Sequence, residues 1–153
     1  MEHEEYMRQA LELARLAMAE GEVPVGCVIV RDGAVVGRGR NRRETAQTAL
    51  GHAELEAIAQ ACRTLGGWRL AGCALYVTLE PCPMCAGAII NSRIRTLRYG
   101  TRDDKAGCCG SVLNLFEERF NHHPRIYQGP LKEECESQLQ DFFRGLREKD
   151  GEI

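Results

Sequence analysis

The order in which apolar patterns follow one another constrains the fold of this chain more than any single residue does. Apolar residues recur at helical spacing over residues 4–20, and a β-branched run over 23–30 predicts a strand. The dipeptide Asp32-Gly33 then predicts a tight hairpin turn, with 34–39 as the returning strand. The chain therefore begins with a helix and an antiparallel pair of strands.

The rest of the chain alternates helices with strands. The predicted elements are a polar loop over 40–51, helices over 52–65, Pro83–Asn91 and 130–148, and strands over Ala74–Leu79, 94–99 and Arg125–Gln128. Strand–helix–strand units build parallel strands with helices on the faces of the sheet. We therefore expect a single α/β domain over residues 1–153, with three α/β/α layers and a central mixed sheet. Residues 104–124 show no periodic pattern.

Length, charge and hydropathy limit the partners of the chain. Its 153 residues suit one domain, and 44% of them are apolar, which allows a buried core. The formal net charge is −2, so a nucleic-acid partner would have to be held by local cationic patches. No run approaches the roughly 20 apolar residues of a membrane helix, and the start, Met1-Glu2-His3-Glu4-Glu5, is unlike a secretory signal. We expect no membrane contact and a cytoplasmic location, where cysteines stay reduced or bind metal.

Three residues, His52, Cys82 and Cys85, are placed to bind one metal ion. The two cysteines span the start of a predicted helix, so both sulfurs face one side, and the positive end of the helix dipole favours the thiolate that binds zinc. His52 opens the other predicted helix of this pair. Three protein ligands leave one position of a zinc ion open for water, as in catalytic sites, whereas structural sites usually have four.

Glu54 follows His52 by two residues and so faces a different side of the helix start. A carboxylate there can take a proton from zinc-activated water and hand protons to a leaving group. His-x-Glu followed by Pro-Cys-x-x-Cys is a known signature of zinc-dependent base deaminases, with the glutamate as acid and base, and residues 52–54 and 81–85 match it fully. The motif predicts such a deaminase, with Glu54 as its proton shuttle.

Two other interpretations of the cysteines remain open. A Cys-x-x-Cys pair can be a redox pair, although the upstream His-x-Glu disfavours this. A closed structural zinc site would need a fourth ligand, and the candidates have no spacing that demands such a role. These candidates are Cys108, Cys109, His122 and His123. The remaining cysteines fall on predicted helices and strands and are expected to be ordinary core or surface thiols.

Several segments outside the zinc motif also match a known family. They are Val23-Pro24-Val25-Gly26, Asn41-Arg42, Thr78-Leu79-Glu80, Ser92-Arg93-Ile94, Arg102-Asp103, Gly110-Ser111, Asn121-His122 and Asp141-Phe142-Phe143-Arg144. Over nearly its whole length the chain resembles the bacterial tRNA-specific adenosine deaminases of the cytidine/deoxycytidylate deaminase superfamily. The resemblance implies a cytidine-deaminase-like fold and a homodimer with one Zn²⁺ per subunit. It also implies hydrolytic deamination of adenosine to inosine at the wobble position of tRNA.

The resemblance further implies which residues hold the target base. Asn41 and the backbone near Ala53 would hydrogen-bond the base, and Val25 would line its pocket. The base would be splayed out of the anticodon loop into this pocket, which is how deaminases reach bases that are otherwise stacked.

Contacts to the rest of the RNA are implied in the same way. Asp103 would lie near the ribose–phosphate backbone, and Phe143 and Arg144 on the closing helix would help to hold the tRNA anticodon loop. Two cationic clusters favour RNA binding only weakly, because a solvated face explains each residue equally well. They comprise Arg38, Arg40, Arg42 and Arg43, and Arg93, Arg95, Arg98, Arg102 and Lys105.

Two alternative functions remain open from the sequence. An enzyme with the same fold and zinc site can act on a free base or nucleoside such as guanine, cytosine or cytidine, and the shared chemistry does not separate it from the tRNA enzyme. The other alternative is a non-catalytic, zinc-stabilised binding module. Such a module has no use for Glu54, which argues against it.

Overall fold

Five strands form one mixed sheet in the computed structural model, which describes residues 2–151. The elements in chain order are α1 (Glu2–Ala19), β1 (Gly26–Arg31), β2 (Ala34–Arg40), α2 (Ala53–Leu65), β3 (Ala74–Leu79), α3 (Pro83–Asn91), β4 (Thr96–Thr101), the 3₁₀ turn η1 (Leu115–Glu117), β5 (Arg125–Gln128) and α4 (Lys132–Gly151). The strand order is β2-β1-β3-β4-β5. β1 is antiparallel to both β2 and β3, whereas β3, β4 and β5 are parallel.

Helices cover both faces of this sheet. α1 and α4 pack on one face, around Val28 and Tyr76, and α2 and α3 pack on the other, around Ile29, Leu75 and Val77. Because both faces are covered, successive residues of β1 are buried, in place of the alternation of a half-exposed strand. The predicted three-layer α/β/α architecture is confirmed. None of the helices in the described part of the chain combines the length and hydropathy of a membrane-spanning segment.

Helix α2 contacts the strands directly because glycines face alanines. A Cβ on Gly37 would overlap the carbonyl oxygen of Ala57, and one on Gly39 would overlap that of Ala53. Glycine at both positions therefore lets the helix backbone approach β2 without side chains between them. This close packing fixes the first turn of α2 against the sheet.

The strand directions bring several loops to one edge of the sheet. β1 runs opposite to β2 and β3, and β4 runs parallel to β3, so the chain leaves β2, β3 and β4 at the edge where it enters β1. Asn41 follows β2, Glu80 follows β3, Arg102 follows β4, and Val25 precedes β1 at this edge. Ligand sites in α/β sheets commonly form beyond the carboxyl ends of strands.

Two predicted strand boundaries were wrong. The strand expected over 23–30 begins only at Gly26, because Pro24 has no N–H to donate to a ladder. The strand expected over 94–99 begins and ends two residues later. It continues through Gly100, where a side chain would overlap the sulfur of Cys135.

The predicted start of the closing helix was also wrong. Pro130 lies outside α4, which begins at Lys132. Leu131 between them has φ of 63°, in the left-handed region, which is incompatible with a right-handed helix. The segment without a predicted structure folds into short turns and η1, whose cap Asn114 accepts a hydrogen bond from the N–H of Phe116 at 3.1 Å.

Candidate active site

Three potential metal ligands meet at the starts of two helices. His52 is the N-cap of α2, Cys82 is the N-cap of α3, and Cys85 lies in the first turn of α3. His52 Nδ1 lies 3.6 Å from Cys82 Sγ and 3.5 Å from Cys85 Sγ. The side chain of His52 makes no capping hydrogen bond to α2, so its ring is available to this centre.

The spacing of these donor atoms fits zinc. A tetrahedral ion with Zn–N of about 2.0–2.1 Å and Zn–S of about 2.3 Å separates its nitrogen and sulfur ligands by about 3.6 Å. The two nitrogen–sulfur distances of 3.6 and 3.5 Å match this separation. One imidazole and two thiolates are also the donor chemistry that zinc prefers.

The residues considered as a fourth ligand do not join this centre. Among residues 2–151, only His52, Cys82 and Cys85 form a group with ligand atoms within 4.8 Å of one another. His122 Nε2 instead lies 2.7 Å from the carbonyl oxygen of Ile94. The described residues thus supply three ligands and leave one position open, as catalytic sites do.

Hydrogen bonds between the cysteines prepare one of them for metal binding. The pKa of Cys82 is lowered to about 4 because Cys85 donates a hydrogen bond to its sulfur; burial opposes this shift and His52 supports it. The same hydrogen bond, together with burial, raises the pKa of Cys85. Cys82 is therefore the thiolate of the pair, and a bound divalent cation would deprotonate Cys85 as well.

Glu54 lies beside the ligands and is only 4% exposed. Burial raises the pKa of Glu54 to about 7; its own backbone N–H opposes this shift and the negative charge of Cys82 adds to it. A carboxyl group that titrates near neutrality can both accept and donate protons. Its place in the first turn of α2 puts it next to His52 without making it a ligand.

A cavity of about 1210 Å³ opens in front of the ligands. Its wall includes every residue that the sequence predicted to contact substrate. These residues are Val25, Asn41, Ala53, Asp103, Phe143 and Arg144. Val25 and Ala53 are buried, whereas Phe143 projects from α4 with 44% of its surface exposed. The geometry brings these residues together with the metal ligands, and their roles in binding stay predictions.

The polar groups of Asn41 are already partly engaged. Its Nδ2 donates to the carbonyl oxygen of Val23 at 3.1 Å, and its Oδ1 accepts from the N–H of Arg43 at 3.3 Å. An asparagine amide has two donors and two lone pairs. One donor and one lone pair of this amide are left for a ligand, in a fixed orientation.

Asp103 has a structural role in addition to the contact with the ribose–phosphate backbone that is predicted for it. Its Oδ1 accepts hydrogen bonds from the N–H groups of Lys105 at 3.0 Å and Ala106 at 3.2 Å. The side chain thus closes the turn that follows β4. Only its second carboxylate oxygen is free to face the cavity.

Cationic side chains outnumber carboxylates around the cavity. Six cations line it, namely Arg43, Arg102, Lys105, Lys132, Arg144 and Arg147. Besides the buried Glu54 and Glu80, three carboxylates do so, namely Asp103, Asp104 and Glu136. Counted together with Glu54 and Glu80, the wall holds one more cationic residue than carboxylates, although the net charge of the chain is −2.

Sequence reasoning named Arg144 on the closing helix but missed two further cations there, Lys132 and Arg147. Lys132, Glu136, Phe143 and Arg147 recur at helical spacing and lie on the face of α4 toward the cavity. This helical spacing is the sequence signal that could have placed these residues on one face of the closing helix.

A second buried carboxylate, Glu80, was also missed. It is 2% exposed, and it holds the loop after β4, defined here as the 102–113 loop. Its oxygens accept from the N–H groups of Asp103 at 3.0 Å, Cys109 at 2.7 Å and Ser111 at 3.2 Å, and from the Ser111 hydroxyl. Burial by itself would raise the pKa of Glu80, but these hydrogen bonds outweigh burial and lower it.

A third buried carboxylate, Glu22, holds the loop after β2, defined here as the 42–51 loop. It too is 2% exposed. It accepts from the N–H groups of Glu44 at 3.1 Å and Thr45 at 2.6 Å and from the Thr45 hydroxyl. This loop carries Arg43 at the cavity wall. Glu22 and Glu80 thus each fix one of the loops that flank the cavity.

Comparison with known proteins assigns the chain to a family. The model of the MafB19-like deaminases matches residues 1–147. A tRNA-specific adenosine deaminase of Bacillus subtilis (strain 168) is 50% identical over 145 residues, which cover 94% of this chain and 90% of that protein.

Two solved structures share the fold. One, from studies of A-to-I editing by tRNA:A34 deaminases at the wobble position of transfer RNA, has a TM-score of 0.84 and 44% identity, covering 88% of this chain and 98% of its own. A guanine deaminase from Bacillus subtilis has a TM-score of 0.65 and 33% identity, covering 97% and 95%. Sequence identity and TM-score are both higher for the tRNA deaminase structure than for the guanine deaminase. The chain belongs to the MafB19-like deaminases and to the tRNA-specific adenosine deaminase family.

Proposed function

We propose that this protein hydrolyses the amino group of adenosine at the wobble position of a tRNA anticodon, giving inosine and ammonia. One observation carries the proposal: a three-ligand metal site, with the buried Glu54 beside it, faces a cavity whose wall carries six cationic side chains. The tRNA-specific adenosine deaminase at 50% identity and the wobble-editing structure at 44% identity support the same substrate.

The metal is proposed to be one Zn²⁺ per subunit on His52, Cys82 and Cys85, as the nitrogen–sulfur distances allow. When bound, zinc supplies the Lewis acidity that brings the pKa of a water molecule down to about 7. The buried sulfur of Cys85 and the half-buried His52 hold this centre at one end of the cavity.

Glu54 carries the proton transfers in this proposal. With a pKa of about 7, its carboxylate can accept a proton from the attacking water and pass one to the adenine ring. The hydroxide left by this transfer adds to C6 of the base. Glu54 then takes the proton of the new C6 hydroxyl and gives it to the amine, and the C6–N bond breaks to leave inosine and ammonia.

Residues of the cavity wall hold the base and the RNA. The free amide donor and lone pair of Asn41 and the backbone of Ala53 hydrogen-bond the edge of the flipped base, while Val25 packs against it. Phe143 and Arg144 on α4 contact the anticodon loop, together with the other cations of the wall. Lining cations neutralise phosphates locally, which explains how a chain with negative net charge can bind RNA.

Exposed apolar residues support the proposal of a homodimer. Val112, Leu113 and Phe120 are 56%, 47% and 45% exposed, and they lie in the segment that packs against α3. Gly87 on α3 has open space where a side chain would stand. A second copy of the chain would cover this surface, and light scattering after size exclusion would give twice the mass of the chain. A monomeric mass would contradict the proposal.

A tRNA substrate also implies that the protein works in the cytoplasm.

The substrate is tested by ammonia release from the zinc-loaded protein. An anticodon stem-loop with adenosine at the wobble position is compared with free adenosine, guanine and cytidine. The proposal predicts turnover of the stem-loop far above the rest, with inosine in the RNA. Turnover of guanine or another free base alone would instead favour the free-base enzyme, to which the 33% identical guanine deaminase is related.

The role of Glu54 is tested by Glu54→Gln, with Glu5→Gln on the exposed side of α1 as the control. The variant should keep one zinc per chain and lose at least about 10²-fold in kcat, because general acid–base catalysis is removed. Loss of zinc, or kcat near that of the control, would contradict the assignment.

A further inference from the structure

Glu80 lies next to the metal site but has no role in the proton transfers proposed above. It precedes the ligand Cys82 by two residues, at the end of β3, and it is 2% exposed. A buried carboxylate is stable only when its oxygens are paired. The hydrogen bonds of its carboxylate to described residues all come from the 102–113 loop, which follows the adjacent strand β4.

These bonds gather both ends of the loop onto one carboxylate. Oε1 accepts from the N–H of Asp103 at the beginning of the loop and from the hydroxyl of Ser111 near its end. Oε2 accepts from the N–H groups of Cys109 and Ser111. The N–H of Cys108 also donates to the carbonyl oxygen of Pro81 at 2.9 Å, so the loop is tied to the segment that carries the metal ligands.

The loop is shaped around this carboxylate. A Cβ on Gly107 would overlap the carboxyl group of Glu80, so only glycine fits there. The Ser111 hydroxyl, besides donating to Glu80, accepts a hydrogen bond from Arg102 Nε at 3.0 Å. Glu80 thereby orients, through one hydroxyl, an arginine at the cavity wall.

We propose that Glu80 is a positioning residue for substrate: it fixes the 102–113 loop as the cavity wall beside the metal site and holds Arg102 and Asp103 where RNA meets that wall. The proposal rests on the proposed function for the identity of the substrate. Glu80 touches neither the base nor the attacking water in this scheme. Its loss should therefore weaken substrate binding more than the chemical step.

The experiment compares Glu80→Gln with wild type and with the exposed control Glu117→Gln, all loaded with zinc. Three quantities are measured: zinc per chain, kcat and KM on the anticodon stem-loop, and amide hydrogen exchange. Glu80→Gln should keep its zinc, raise KM about tenfold and change kcat by less than about threefold. Exchange should become faster in 102–113 and stay the same in 42–51, because only the former has lost its acceptor.

A milder pair of variants serves if Glu80→Gln does not fold. Ser111→Ala keeps the three backbone hydrogen bonds of Glu80 and removes only the hydroxyl that holds Arg102. It should raise KM about threefold at unchanged kcat, and Ser111→Thr, which keeps a hydroxyl, should restore KM.

Several results would overturn the proposal. They are a fall in kcat at constant KM, loss of zinc from Glu80→Gln, unchanged exchange in the 102–113 loop, or equal KM for the alanine and threonine variants of Ser111. If wild type does not deaminate the stem-loop at all, the proposed function fails on its own. Exchange in the loop and affinity for the stem-loop then decide whether Glu80 positions this wall.

Discussion

A buried glutamate holds each of the two loops that flank the cavity, but the two glutamates bond different numbers of loop positions. In each, a buried glutamate accepts hydrogen bonds from backbone N–H groups and from one hydroxyl group. Glu22 receives them from the neighbouring residues Glu44 and Thr45, so it holds the 42–51 loop at a single point. Glu80 receives them from residues 103, 109 and 111, so it holds the 102–113 loop at both ends.

The loop that is held at a single point is also the more exposed of the two. Residues 43–50 are all exposed, whereas the 102–113 loop buries Gly107 and Cys108 against the sheet edge. Backbone that is exposed and held at one point opens locally at low cost, and backbone gathered around a buried charge does not. The 102–113 loop is thus held more firmly than the 42–51 loop.

The largest effect is expected from removing the charge of each anchor. Glu80→Gln should lower the free energy of unfolding by about 3 kcal/mol and Glu22→Gln by about 1.5 kcal/mol, because hydrogen bonds to a charged acceptor contribute about 1.5–3 kcal/mol each and an amide keeps only part of them. Urea unfolding of the zinc-saturated proteins measures both. Equal losses, or a larger loss at Glu22, would remove the contrast between the loops.

A smaller effect is expected from one added methyl group in each loop. In Gly107→Ala the new Cβ would overlap the buried carboxyl group of Glu80, and overpacking of this kind costs about 2 kcal/mol. In Gly51→Ala the new Cβ would lie 3.0 Å from backbone atoms of Arg42 and Arg43, which can shift, and we expect less than about 1 kcal/mol. Thermal unfolding of both variants gives the comparison, and a greater loss at Gly51 would reverse it.

The sequence could predict the fold and the chemical centre but not these anchors. His52, Cys82 and Cys85 each stand at a helix start, and the helical periodicity after each start was enough to expect their convergence. The α/β/α prediction and the family are confirmed. Glu80 could not be assigned, because its partners lie 23 to 31 residues further along the chain and are mostly backbone N–H groups, which every residue type supplies.

The boundaries that sequence reasoning missed have local causes. Val25 is β-branched, as in a strand, yet lies outside β1, because the preceding Pro24 cannot pair and the segment lines the cavity instead. Pro130 is suited to a first helical turn, but the left-handed Leu131 delays α4. Tertiary context decided each of these positions over local propensity.

The two hydroxyl groups offer a finer test of the comparison. Ser111→Ala should cost about 1 kcal/mol and Thr45→Ala about 0.5 kcal/mol, because the Ser111 hydroxyl bonds both Glu80 and Arg102, whereas the Thr45 hydroxyl bonds Glu22 alone. Chemical denaturation in parallel with wild type measures the difference. A larger cost at Thr45 would show that the 42–51 loop depends on its anchor more than its exposure indicates.

The smallest effect is a dependence of stability on pH through Glu22. Burial by itself would raise the pKa of Glu22, but hydrogen bonds from Thr45 and Glu44 outweigh burial and lower it. The unfolded chain takes up its proton at the ordinary, higher pKa. The stabilisation is therefore complete above that ordinary pKa and is lost as the pH falls through the lowered pKa of the folded state.

Unfolding of wild type and Glu22→Gln over the acid range isolates this contribution, because acid release of zinc affects both proteins alike. The gap in unfolding free energy between them should narrow as the pH falls. A gap that stays constant would mean that Glu22 does not titrate with a lowered pKa.

The exposed tip of the 42–51 loop has a consequence for how such a protein can change over generations. Residues 46–50 are all exposed, so a substitution there displaces no buried neighbour and its cost to folding is small. In the 102–113 loop a single methyl group at Gly107 is excluded by the buried carboxylate. Sequence changes can therefore accumulate by neutral drift at the tip of the 42–51 loop, while the 102–113 loop tolerates few.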